Sequence, residues 1–101
     1  MAISDVRLKD NRYHVFDSSG KMISDAYKSK GELLGYSSDT MLFKNDKRFY
    51  TFDENFKNLA DTYESIGEYK NMTGSSINFI KDKRLYCYDR YLKKISDSYI
   101  G

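Results

Sequence analysis

Asp17, Asp53 and Asp89 stand 36 residues apart, as do Asp25, Asp61 and Asp97, Arg12, Arg48 and Arg84, and Tyr27, Tyr63 and Tyr99. Three chemistries suit such a set. A carboxylate at the head of a polar loop such as Asp17-Ser18-Ser19-Gly20-Lys21 can ligate calcium, Arg with Asp can form bidentate pairs, and acids beside tyrosines can hold sugars. The loops lack the dense spacing Asp-x-Asp-x-Asp-Gly with a later Glu that calcium needs. The expectation is that Asp17, Asp53 and Asp89 each accept turn amide hydrogens and pair with Lys21, Lys57 or Lys93 across a hairpin mouth. Asp25, Asp61 and Asp97 fall in the middle of apparent strands, where an acid is disfavoured. A repeated unfavourable choice implies a repeated partner, so Arg–Asp pairs buried between units are expected, with a row of sugar-binding acids as the functional alternative.

No set of nucleophile, base and stabiliser emerges from the remaining reactive residues, so the chain is not read as an enzyme and no cofactor or metal is expected. His14, the only histidine, takes the place of Tyr50 and Tyr86 and reads as an aromatic at the edge of a core, because a base needs an orienting partner and a metal needs several ligands. Cys87 stands where the other copies have Val15 and Thr51, which fits a small buried side chain. As the single cysteine it excludes an internal disulfide and suits a reducing compartment.

The elements that hold these residues are copies of one another. Segments 12–47 and 48–83 are identical at 12 of 36 positions, where random pairing gives about 2; a third copy begins at Arg84, and 5–10 matches the register of 41–46. The chain therefore reads as one repeat domain with a partial unit 5–11, full units 12–47 and 48–83, and a partial unit 84–101. Within each unit an aromatic and β-branched run (Tyr13-His14-Val15-Phe16, Phe49-Tyr50-Thr51-Phe52, Leu85-Tyr86-Cys87-Tyr88) predicts a strand. A turn and a run with Ile23, Leu59 or Ile95 complete a hairpin, and Leu33-Leu34-Gly35-Tyr36 and Thr40-Met41-Leu42-Phe43 predict two further strands. No apolar stripe of period 3.6 persists for three turns, which disfavours helix. Tyr13, Phe49 and Leu85 face opposite to Phe16, Phe52 and Tyr88, so the first strand should lie between two neighbouring sheets. The predicted fold class is all-β: four-stranded 36-residue repeats in a propeller-like assembly or a stack of β-hairpin sheets. Strand 5–10 is expected to pair with hairpin 84–99 as a closure device; otherwise several chains complete a ring.

Charge and hydropathy narrow the partner. Apolar residues make up 40% and charged residues 32%, and the net charge is +2, which gives no electrostatic case for nucleic acid. No stretch approaches a membrane span. The opening Met1-Ala2-Ile3-Ser4-Asp5 has neither a basic region nor an apolar one, so no ordinary secretory signal is expected and a cytoplasmic location is. Residues that build the fold should recur in every copy, so residues that break the repeat are the functional candidates. Tyr36, Asp39, Glu54, Glu64, Tyr69, Lys70, Arg90 and Tyr91 do so, and Glu68 beside them joins the acidic and aromatic set. Ten Tyr and six Phe accompany no Trp, and rigid amphipathic Tyr with nearby acids suits protein recognition. The invariant Tyr27, Tyr63 and Tyr99 are expected to pack between units.

The stretches Tyr-His-Val-Phe-Asp-Ser-Ser-Gly-Lys-Met-Ile-Ser-Asp-Ala-Tyr and Leu-Tyr-Cys-Tyr-Asp-Arg-Tyr-Leu-Lys-Lys-Ile-Ser-Asp-Ser-Tyr resemble the hairpin of bacterial WG-type β repeats, over about half of each unit. The chain lacks the Trp-Gly pair that names that family and keeps the turn glycine only at Gly20. Small repeat proteins of this kind are similar to immunity proteins of bacterial toxin systems. That resemblance implies a cytoplasmic inhibitor that covers a toxin domain through Tyr36, Asp39, Glu54, Glu64, Glu68, Tyr69 and Tyr91; against a ribonuclease, carboxylates would take the place of substrate phosphates. The alternative is a lectin-like module that forms an oligomeric propeller with a sugar site at each junction.

Overall fold

The computed structural model describes residues 2–74 and 76–100, and it is all-β. Its strands are β1 (Asp5–Lys9), β2 (Arg12–Phe16), β3 (Met22–Tyr27), β4 (Glu32–Tyr36), β5 (Met41–Asn45), β6 (Arg48–Phe52), β7 (Asn58–Tyr63), β8 (Glu68–Thr73), β9 (Ser76–Lys81), β10 (Arg84–Tyr88) and β11 (Lys94–Tyr99). They form three antiparallel sheets, ordered β1-β2-β3, β4-β5-β6-β7 and β8-β9-β10-β11. The turn residues Asp10 and Asn11, and likewise Asp82 and Lys83, adopt positive φ, as tight two-residue hairpins demand.

The sheet boundaries do not follow segments 12–47 and 48–83. Each four-stranded sheet joins the last two strands of one segment to the first two of the next, and the chain changes sheet at short 3₁₀ turns, Lys28–Lys30 and Glu64–Ile66. Gly31 closes the first of these with φ 124°, and a Cβ there would lie 2.5 Å from the Lys44 carbonyl oxygen, so the turn can press against β5 only as glycine.

Two cores hold the sheets together. Tyr13 and Val15 of the first sheet, with Ile3, pack against Met41, Phe43 and Phe52 of the second. On the other side of the second sheet, Leu42 and Phe49 meet Ile77 and Phe79 of the third. Phe49 and Phe52 thus face opposite ways on β6, and the second sheet is buried on both faces, as the double-sided apolar pattern required. Edge-on aromatic contacts knit both layers, with Tyr13–Phe43 centroids 5.0 Å apart and Phe79–Tyr88 5.5 Å apart. Each fully buried side chain of this size contributes about 1.5–3 kcal/mol of transfer free energy.

Several expectations are corrected. β1 pairs with β2, and β10 lies between β9 and β11, so strand 5–10 does not close onto hairpin 84–99; a two-residue turn makes the local hairpin cheaper than that long-range pairing. Tyr27, Tyr63 and Tyr99 are 66%, 65% and 67% exposed rather than packed between units, because each lies opposite Arg12, Arg48 or Arg84 on an outer edge strand. The pairs Arg12–Asp25 (3.1 Å), Arg48–Asp61 (3.1 Å) and Arg84–Asp97 do form, within single sheets and half-exposed instead of buried between units. Water screens them, and they pin neighbouring strands more than they stabilise the fold. Cys87 is half-buried on the outer face of the third sheet, not enclosed.

Candidate functional site

A cleft of about 650 Å³ opens where the second sheet meets the third. Leu34 on β4, Phe49 on β6 and Tyr69 on β8 supply its apolar lining, and Glu32, Glu64 and Glu68 bring three carboxylates against one ammonium, that of Lys44. Local backbone geometry gathers these side chains. The 3₁₀ turn sets Glu64 above the cleft, and Gly67 with φ 145° returns the chain onto β9, where a Cβ would meet the Ile80 carbonyl oxygen at 3.0 Å. Register shifts between Leu33 and Gly35 and between Tyr69 and Asn71 turn Leu34 and Tyr69 into the space between sheets. Gly35 makes room for Tyr69, whose hydroxyl lies 2.2 Å from where a Cβ on Gly35 would stand.

The charges are partly committed. Lys44 Nζ lies 3.1 Å from Glu64 Oε2 and 5.8 Å from the Phe49 ring centre, and Lys81 Nζ donates to the Ser65 carbonyl at 2.8 Å. Glu32 and Glu68 make no ion pair among the described residues. Burial raises the Tyr69 phenol above its ordinary pKa, which keeps it a neutral donor and contact surface at physiological pH. An apolar floor with two uncommitted carboxylates suits a cationic side chain with an alkyl or planar body, such as lysine or arginine.

Of the candidate residues from the sequence, Glu64, Glu68 and Tyr69 converge on this cleft. Asp39 and Tyr91 lie elsewhere, at a tie between sheets: Arg90 Nη2 donates to the Asp39 carbonyl at 2.7 Å, and Thr51 Oγ1 donates to the Arg90 carbonyl at 2.7 Å. The Arg90 guanidinium lies 5.7 Å from the Tyr91 ring centre. Tyr36 ends β4, and its hydroxyl lies 3.5 Å from Asp5 Oδ1. Glu54 takes part through its backbone carbonyl, which accepts the Ser24 hydroxyl. Lys70 lies at the β8 register shift, outside the cleft lining. Glu32, Leu34 and Lys44 were not singled out from the sequence. Glu32 matches Glu68 in register and so failed the test of breaking the repeat, although two equal acids can line one cleft from different sheets.

The repeated aspartates cap turns. Asp17 Oδ1 accepts from the Ser19 amide (2.9 Å), the Ser19 hydroxyl (2.6 Å) and the Lys21 amide (3.0 Å). Asp53 and Asp89 repeat the two amide contacts. Lys21, Lys57 and Lys93 contribute backbone amides here, and no ion pair from their ammonium groups to these acids occurs among the described residues, which corrects that part of the expectation. The Ser19 hydroxyl, first among these contacts, holds the Asp17 carboxyl below its ordinary pKa. His14 stacks on Phe16 at 6.4 Å, with Nδ1 3.3 Å from Met22 Sδ, as an edge aromatic. Among the described residues no three His, Cys, Asp or Glu side chains gather as metal ligands, and no helix is long and apolar enough to cross a membrane. No protein-family model matches the chain, and no curated protein matches its sequence.

Proposed function

We propose that this chain is a protein-binding inhibitor of the immunity type, which engages the basic active-site face of a toxin domain through the cleft between its second and third sheets. The observation that carries this reading is the convergence of Glu32, Glu64 and Glu68 over a floor of Leu34, Phe49 and Tyr69. Such a cleft offers a cationic side chain both ion pairs and apolar contact. Sites that bind nucleic acid are lined by cationic groups, and those are what carboxylates of an inhibitor neutralise.

The 36-residue period supports a propeller-like fan of sheets whose two outer faces are polar. Positions of Met41, Phe43 and Phe56, which pack toward the first sheet, are held 36 residues earlier by Asp5, Arg7 and Gly20. Positions of Leu34 and Leu42, which pack toward the third, are held 36 residues later by Lys70 and Asn78. Repeat arrays end in units with a polar outer face. Those substitutions favour a monomer with a separate protein partner over a ring completed by several chains.

The lectin-like alternative keeps one observation in its favour. Tyr27 and Tyr63 each lie under a guanidinium, that of Arg12 at 4.2 Å and Arg48 at 4.3 Å, with the ring two-thirds exposed, an arrangement that leaves one aromatic face open to a sugar.

Affinity capture from the source cells, with the unaltered chain and with Glu64→Lys/Glu68→Lys, separates the readings. The inhibitor reading expects a monomer in solution that captures one basic protein, abolishes its activity at equimolar ratio, and loses it on charge reversal without unfolding. Equal capture by both forms would remove the cleft from the interface. A ring-sized mass with glycan binding would replace the inhibitor reading by the lectin one.

A further inference from the structure

The cleft between the second and third sheets already contains a cation of its own. Lys44 on β5 stands directly opposite Glu32 on β4 and Phe49 on β6, and its ammonium lies 5.8 Å from the Phe49 ring centre and 3.1 Å from Glu64 Oε2. The repeat explains neither charge. The positions 36 residues before Lys44, Phe49 and Glu64 hold Leu8, Tyr13 and Lys28, and those 36 residues after them hold Ile80, Leu85 and Ile100. A lysine and a glutamate thus enter together, at the junction that Glu32 and Glu68 also line. Their side chains are 38% and 42% exposed, so water screens the pair and it contributes little to the fold. An ammonium held loosely over an aromatic floor and against a carboxylate occupies the place that a cationic guest needs.

We propose that Lys44 is an internal stand-in for the guest, and that the partner protein enters this cleft with an arginine side chain that displaces it. The inference rests on the reading of the cleft as the partner's docking place, and adds which residue docks there and what it must remove. Exchange of one ammonium for another returns no contact, while the tethered one competes at an effective concentration of roughly millimolar order. An arginine offers two things that Lys44 lacks: a planar face to lie on Phe49, and a fork whose edges reach two carboxylates at once. Glu64, freed by the exchange, and Glu68, unpaired among the described residues, supply those carboxylates from the 3₁₀ turn and from the start of β8. The displaced ammonium has a partner to go to, because Glu32 stands opposite Lys44 across the strand pair and makes no ion pair among the described residues. Lys44 thereby sets a threshold: cations that match the cleft poorly are turned away by a competitor that is always present.

The probes are the capped tripeptides acetyl-Gly-Arg-Gly-amide and acetyl-Gly-Lys-Gly-amide, titrated at low ionic strength into the full chain and followed by the backbone amide signals of Gly67 and Glu68 and the side-chain carbon signals of Lys44. The arginine probe is expected to bind about tenfold tighter than the lysine probe, and its binding should move the Lys44 signals. Lys44→Met, which removes the competitor, should tighten both probes by a similar factor of about three to ten. That variant also removes a positive charge, so Lys44→Arg decides: the charge is kept, the tethered guanidinium holds the place more firmly, and the arginine probe should bind about tenfold weaker. Equal arginine binding by Lys44→Arg and the unaltered chain, or Lys44 signals that stay still as the probe binds, overturns the displacement and leaves the cleft as a docking place. No response of Gly67 and Glu68 to either probe, in Lys44→Met as in the unaltered chain, overturns the inference together with the reading on which it rests.

Discussion

Phe56 sits in a conformation that suits glycine and is kept there by its ring. Its φ is 60°, and the matching turn residue in the third sheet, Leu92, has φ 57°, while the first sheet has Gly20 with φ 85°. Phe56 packs 5.9 Å from both Phe43 and Phe52, and Leu92 packs on the second core; nothing stands within 4 Å of a Cβ on Gly20. Replacing Phe56 by Ala removes the ring and keeps the left-handed strain. A fully buried Phe→Ala change costs about 3–5 kcal/mol, and because Phe56 is half-buried the loss should be about 2 kcal/mol. Replacing it by Gly loses the same packing but recovers about 1 kcal/mol of the left-handed penalty, some of it offset by the freer unfolded chain. With a urea m-value of about 1.2 kcal/mol/M, the unfolding midpoint should fall by about 1.5 M for Phe56→Ala and by about 1 M for Phe56→Gly. Glycine is thus the milder change, the reverse of its usual rank inside strands. A midpoint for Phe56→Ala equal to or above that of Phe56→Gly would refute the idea that backbone strain is held by the plug.

Two further outcomes test the geometry. Gly35→Ala forces the Tyr69 hydroxyl aside and should cost about 1–3 kcal/mol as overpacking; adding Tyr69→Phe should recover much of it in a double-mutant cycle followed by urea unfolding, and additive losses would remove that contact from the account. Hydrogen bonds from Arg7 to Asp5, Ser19 to Asp17, Arg12 to Asp25 and Lys94 to Asp97 lower these carboxyl pKa values in the folded chain. Their stabilisation is therefore complete above the unfolded value of about 3.9 and disappears as pH falls through the lower folded values. Thermal unfolding should be flat in pH from about 7 to 5 and steepen below about 4, with a shallower acid slope in Asp17→Asn; an unchanged slope in that variant would exclude Asp17 from the acid transition.

Strand content and double-sided burial were legible because Tyr13, Phe49, Phe52 and their neighbours alternate in type along short runs bounded by turn formers. The turn role of Asp17, Asp53 and Asp89 was legible too, since an acid two residues before a polar amide has a local partner whatever the fold. Sheet membership was not, because 12–47 and 48–83 are defined by where the identities start, whereas the sheets break at Gly31 and Gly67, where the 3₁₀ turns end. The repeated tyrosines misled for a related reason. Repetition marks any role that every sheet shares, and a cross-strand Arg–Tyr contact on an exposed edge repeats as faithfully as a core contact. The same rule passed over Glu32, which recurs as Glu68; Glu68 itself was reached only through its repeat-breaking neighbour Tyr69, although the cleft uses both acids.

The two end faces of the stack are built differently from the faces between sheets. On the two end faces, side chains that pack between sheets in the middle of the molecule give way to Asp5, Arg7, Lys70 and Asn78, and Asn78 is held by Asn71 at 2.7 Å and Thr73 at 3.1 Å. These changes remove the reason for another sheet to stack there. With both end faces polar, neither offers the apolar layer that holds the second sheet against its two neighbours.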